Sequence, residues 1–190
     1  MNNVELLYSY AGAATTTTPT AGAVSLIATY PPIVIPPSYF SKLGANSSSL
    51  NFRMGGVIVT TATIPTFLWG LAVTPATTTP AAFSATTSIA ATTAIAPTTA
   101  QTTGVGFLMD VDIMVRTITQ VATSVIVTGG DISSPSTIST GWTFPATGVA
   151  ATFSTWEMDL SYFLWPYLTL GAATAGNTVS VNYAKLYGEN

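Results

Sequence analysis

Between Phe107 and Thr117 the chain alternates residue by residue. Phe107, Met109, Val111, Ile113 and Val115 fall on one face, and Leu108, Asp110, Asp112, Met114 and Arg116 on the other. A period of two predicts a strand with one buried and one wetter face. Leu50, Phe52 and Met54 alternate in the same way until Gly55-Gly56 interrupts the pattern. Val57 to Thr61 and Thr66 to Val73 read as two strands around a turn at Ile64-Pro65. Val121 to Thr128 is a further strand, closed by Gly129-Gly130-Asp131. In Phe153 to Leu160, Trp156, Met158 and Leu160 oppose Thr155, Glu157 and Asp159. Phe163 to Leu170 is apolar almost throughout and broken by Pro166, and Thr178 to Tyr187 closes the chain with Val179, Val181, Tyr183 and Tyr187 in phase. This pattern gives eight to ten strands, spaced every 10 to 20 residues by Gly, Pro, Asn and Ser, and no three-turn amphipathic helix. That spacing predicts an all-β, antiparallel β-sandwich.

The first thirty residues differ from the rest. Val4-Glu5-Leu6-Leu7-Tyr8-Ser9-Tyr10 is apolar, and a run of small residues and threonines follows from Ala11 to Ala23. Such a run cannot nucleate a helix and has little to bury, so residues 1–30 read as an extended N-terminal arm and residues 31–190 as the sandwich domain. Leu6, Leu7, Tyr8 and Tyr10 are then the arm's contacts to a partner, by strand addition to a neighbour's edge. The alternative is an arm folded back as an edge strand of its own sandwich. Next, Ile33-Val34-Ile35 lies between Pro31-Pro32 and Pro36-Pro37. Proline fixes φ and removes the N–H donor, so this segment is an edge strand or a surface strap. Residues 74–103 are built mainly from Thr, Ala and Pro. They read as a long, partly ordered excursion between strands, with Phe83, Ile89 and Ile95 available to anchor a short one.

Composition narrows the chemistry. Of 190 residues only 4 are Lys or Arg and 7 are Asp or Glu, 6% charged in all, with no His and no Cys. A soluble domain usually carries about 25% charge. Without His or Cys there is no Ser-His-Asp or Cys-His nucleophile system, no thiolate or imidazole metal site and no disulfide. The sparse basic residues leave no footprint for nucleic acid. Met54 to Val73 is uncharged and long enough to span a bilayer, but Gly55-Gly56, Pro65 and four threonines argue against a membrane helix. The start of the chain, with Glu5 and no basic cluster, does not read as a secretory signal.

Asp110 and Asp112 project from one face of their strand, as do Glu157 and Asp159 from theirs. Neighbouring strands would gather them into a carboxylate cluster of the kind that serves a glycosidase or holds Ca²⁺. The simpler reading is a solvated face with Arg53, Arg116 or Lys185 as counter-charge, since neither pair has the spacing of a Ca²⁺ loop. No metal or cofactor is therefore expected. Trp142, Trp156, Trp165, Tyr162, Tyr167 and Phe163 concentrate the aromatic residues in the last third. Exposed in register they would make a sugar-stacking platform; buried, a core or a subunit interface. The many hydroxyls lack a base beyond Lys42 and Lys185, which argues against an enzyme. Gly55-Gly56 and Gly129-Gly130 do not open helices, so neither is a phosphate loop.

Four stretches taken together resemble jelly-roll virion proteins of tailed bacteriophages, of the capsid decoration (cement) and head-fibre type. They are Tyr30 to Phe40 with its paired prolines; Leu50 to Ile58 followed by Thr63 to Leu71; Phe107 to Thr117; and Ala175 to Val181 with Leu186 to Asn190. The resemblance covers about Tyr30 to the C-terminus, and residues 74–103 depart from it. It implies a jelly-roll sandwich that assembles as a homotrimer on the exterior of a capsid, with the major capsid protein as partner and no catalytic residues. The low charge suits that role, because a chain this poor in charged side chains needs neighbours to cover part of its surface. The competing reading is a carbohydrate- or receptor-binding sandwich of a fibre or tail.

Overall fold

In a computed structural model, residues 4–17, 23–27, 32–40, 49–76, 88–94, 96–97, 99–117, 124–133, 142–144, 151–153, 160–171 and 176–189 are described. Twelve strands and no helix occur among them: β1 (Val4–Thr17), β2 (Ala23–Ser25), β3 (Ile33–Ile35), β4 (Ser49–Val59), β5 (Phe67–Pro75), β6 (Ser88–Ala91), β7 (Val105–Thr117), β8 (Ser124–Ser133), β9 (Trp142–Phe144), β10 (Ala151–Phe153), β11 (Tyr162–Leu170) and β12 (Thr178–Glu189). They form two antiparallel sheets packed face to face. The larger runs β1-β12-β4-β7-β8, with β9 and β10 both pairing with β8. The smaller runs β2-β11-β5-β6, with β3 also on β11.

The alternation read from the sequence positions the core. Phe107, Met109, Val111 and Ile113 of β7 face inward with Leu50, Phe52 and Met54 of β4, against Phe67, Trp69, Leu71 and Val73 of β5. Trp69 bridges the sheets, its ring centroid 4.9 Å from that of Phe107. Each large apolar side chain fully buried here contributes about 1.5–3 kcal/mol.

Several expectations are corrected. Residues 4–17 are not an arm set apart from the sandwich. They form the edge strand β1, paired with β12 from Val4↔Glu189 to Thr17↔Val179. Leu26 and Ile27 are fully buried in the core, so the domain takes in residues assigned above to the arm. The reason is the backbone: without β1, β12 would present a row of unpaired N–H and C=O groups, and β-branched threonines fit an edge strand as readily as a linker.

Gly55-Gly56 does not end its strand either, because β4 runs through both glycines to Val59. A Cβ on Gly56 would collide with the Ser180 carbonyl and the Phe107 ring, so these glycines permit close approach rather than a turn. β8 likewise continues through Gly129-Gly130 to Ser133. In β12 the register shifts between Val181 and Tyr183. Val179 and Val181 are buried before the bulge and Ala184 and Leu186 after it, so Tyr183 and Tyr187 turn to the outer face. One extra residue reverses the face of every side chain beyond it.

Pro166 does not break β11; it pairs with Leu71 in the middle of the strand. In an antiparallel strand a residue's N–H and C=O point the same way. The Pro166 carbonyl accepts the Leu26 N–H at 2.9 Å, so the missing donor faces the side of β2 and β3. There β2 covers Tyr167 to Thr169 and β3 covers Tyr162 to Leu164, and Pro166 falls in the gap between them. β3, between its paired prolines, is thus an edge strand. Residues 74–103 supply β6, with Ile89 buried, and threonine hydroxyls that satisfy the core. Thr92 Oγ1 accepts the Trp69 N–H at 3.1 Å, and Thr74 Oγ1 accepts Trp165 Nε1–H at 2.8 Å. Phe83, Ile95, Trp156, Glu157 and Asp159 lie outside the described residues.

Candidate functional site

The outer face of the larger sheet gathers the polar chemistry. Inward Leu50, Phe52 and Met54 leave Ser49, Asn51, Arg53 and Gly55 of β4 pointing outward, and antiparallel register sets each beside an outward residue of β7. The pairs are Ser49↔Met114, Asn51↔Asp112, Arg53↔Asp110 and Gly55↔Leu108. β8 brings Asp131 next to Asp110 and Gly129 next to Asp112. On the other side β12 sets Lys185 beside Arg53 and Tyr187 beside Asn51.

Asn51 organises the centre. Only 8% exposed, it donates from Nδ2 to Asp110 Oδ1 at 2.8 Å and to Asp112 Oδ1 at 2.7 Å. The other oxygen of Asp110 accepts from Arg53 Nε at 2.9 Å. That ion pair is half exposed on the arginine side and contributes at most about 1 kcal/mol. Its larger effect is positional, since with Asn51 it fixes the Asp110 carboxylate from two directions. The face holds an open concavity of about 580 Å³, lined in part by Asn51, Arg53, Asp112, Asp131 and Tyr187. Among the described residues no group of three or more acidic side chains has a metal-binding arrangement. The face can donate and accept hydrogen bonds and attract a cation.

Asp110 and Asp112 do share a face, with Arg53 as counter-charge to Asp110. Asn51 and Asp131 were not singled out in the sequence. Asn51 sits in the polar phase of its strand, which marks it as outward, but its two carboxylate partners lie 59 and 61 positions away and need the β4–β7 register. The four arm residues divide: Leu7 and Tyr8 pack against the chain's own core, Tyr10 is half-buried, and Leu6 is exposed. The aromatics of β11 stand in register on its outer side but are covered. Phe163, Trp165 and Tyr167 are 6%, 7% and 4% exposed, so they offer no stacking platform. Tyr167 lies over Gly70, and its hydroxyl donates to Ser88 Oγ at 2.9 Å. Burial pushes this phenol above its usual 10.0, against the lowering effect of the Ser88 bond.

Charge divides between the two sheets. Glu5, Arg53, Asp110, Asp112, Arg116, Asp131, Lys185 and Glu189 all lie in strands of the larger sheet, and the five strands of the smaller one contain no charged residue. Lys42, Glu157 and Asp159 lie outside the described residues; those described define an all-β sandwich whose charged residues lie in the strands of one sheet. No protein-family model and no curated protein matches the sequence.

Proposed function

We propose that the protein is a structural, non-catalytic virion component: a capsid decoration protein that binds and stabilises the exterior of a phage capsid as a homotrimer, with the major capsid protein as partner. The scarcity of charge carries this reading. A free surface normally carries about 25–35% charged residues of both signs. A chain with 6% charged residues fits a molecule whose surface is partly covered by neighbours in a permanent assembly.

The strand order supports the finer fold reading. An eight-stranded jelly roll, a double Greek key, orders its two sheets 1-8-3-6 and 2-7-4-5. With β2 and β3 as two pieces of one edge strand, and β8 to β10 as an insertion after β7, the same order runs through β1-β12-β4-β7 and β2/β3-β11-β5-β6. Jelly rolls are a frequent capsid and lectin architecture. Three copies around an axis need only weak individual contacts, because linkage raises avidity by about 10²–10⁴.

A second reading, a carbohydrate- or receptor-binding sandwich of a fibre or tail, draws on the polar concavity beside Tyr187. Co-sedimentation with capsids lacking the protein, run against binding to host cells and glycans, separates the two. Saturable capsid binding with no glycan retention is expected; glycan binding without capsid binding would overturn the decoration reading.

A further inference from the structure

The outer face of the larger sheet is complementary to itself, and we propose that it is a two-fold contact between two copies of the chain. This contact goes beyond the trimer proposed above and does not depend on it. The argument is the order of residues across the strands. In each of four rows β4 carries the smaller or donating side chain and β7 the larger or accepting one: Gly55 beside Leu108, Arg53 beside Asp110, Asn51 beside Asp112, Ser49 beside Met114. A two-fold axis lying between β4 and β7, along the strands, turns a second copy over. Its β4 then rests on the first copy's β7, and the reverse. Met114, 47% exposed, lands over the second copy's Ser49, and Leu108, 39% exposed, lands on the Tyr183 ring that lies over the second copy's Gly55. Arg53 and Asn51 land over the second copy's Asp110 and Asp112.

The next strands out continue the pattern. Lys185 of β12 lies over the second copy's Asp131 of β8, in the row of Arg53 and Asp110. Tyr187 lies over the second copy's Gly129, and a Cβ built on Gly129 meets nothing within 4 Å among the described residues, which leaves room there for a ring. The same axis sets Arg53 and Lys185 over Asp110 and Asp131, whereas an axis across the strands through that row would set Arg53 on Arg53 and Asp110 on Asp110. Leu108 and Met114 are two of the five exposed large apolar side chains among the described residues; Val4 and Leu6, on the same sheet, are two more.

The test uses two charge-reversed full-length chains, Lys185→Glu and Asp131→Lys, in sedimentation velocity over a wide concentration range. Within one chain these positions are three strands apart, about 14 Å at the usual strand spacing, so they form no pair of their own. The wild type is expected to double its particle mass with rising concentration, less so at high salt. Each variant alone should lose the doubling, and an equal mixture of the two should regain it, because each reversed charge meets its opposite on the other chain. Gly129→Leu, which fills the space left for Tyr187, should lose the doubling with no change of charge. Circular dichroism melts unchanged from wild type establish that the variants fold. A wild type that never doubles, single variants that double like wild type, or a mixture that fails to regain it would each overturn the proposal. A single chain doubles in mass and a trimer, with three such faces, gains mass by a factor of two or more, so the readout is distinct from success or failure of the trimer.

Discussion

Asn51 and Tyr167 show how single side chains secure the two sheets. Asn51 places one amide between two carboxylates on a neighbouring strand. Hydrogen bonds to charged groups contribute about 1.5–3 kcal/mol each where burial is substantial, and Asp112 is exposed, so the lower end applies. Asn51→Ala is expected to lower stability by about 1.5–3 kcal/mol in urea denaturation at pH 7, with the slope of the transition unchanged. A loss within error of zero would show that water replaces the amide without cost. Tyr167 makes a pH-dependent contribution. Its phenol is raised in the folded protein, so the folded state holds its proton more tightly than the unfolded chain. The stability this gives is complete below about pH 10 and falls as pH rises through the folded value. Tyr167→Phe is expected to flatten the alkaline decline measured between pH 9 and 11. It should cost about 0.5–1.5 kcal/mol at pH 7 through the lost bond to Ser88. An alkaline profile parallel to wild type would contradict the assignment.

Among the elements, β7 was fully legible in the sequence and β12 only in part. Alternation in β7 runs uninterrupted from Phe107 to Met114, and burial follows it. In β12 the bulge after Val181 reverses the phase, and nothing local announces it, because the bulge answers the opposing Gly55-Gly56 of β4. Pro166 and the paired glycines misled for the same reason. Each reads locally as a breaker, yet each sits where a neighbouring strand leaves a gap or comes unusually close. β1 was the largest miss, since its short apolar run and threonines resemble a linker until the open edge of β12 is known. The candidate face was legible to the extent that Asp110, Asp112 and Arg53 could be set on outward positions. Gathering them with Asn51 and Asp131 required the register of three strands. β1 now carries an expectation opposite to that of a dispensable arm. Deleting residues 1–17 is expected to lower the melting temperature of the isolated protein by about 10 °C or more. Removing a whole edge strand costs several of the 1 kcal/mol steps that each shift a chain of this length by about 2–4 °C. An unchanged melting curve would show that β1 adds nothing to its own sheet.

At the scale of the whole molecule the governing fact is the scarcity of charge, which among the described strands occurs in one sheet only. An all-β sandwich could be read from periodicity, and the low charge from a count, but the division of charge between sheets emerges only once strands are assigned to layers. The scarcity is what makes assembly the central claim: part of a surface this poor in charge is expected to be covered by other copies of the chain. Truncation and point substitutions test the sandwich, not this claim. The most direct measurement is the molar mass of the purified full-length protein by light scattering coupled to size exclusion, from low micromolar concentration upward. A particle of three chain masses at the dilute end is the expected result. A particle of one chain mass at every concentration would contradict the claim.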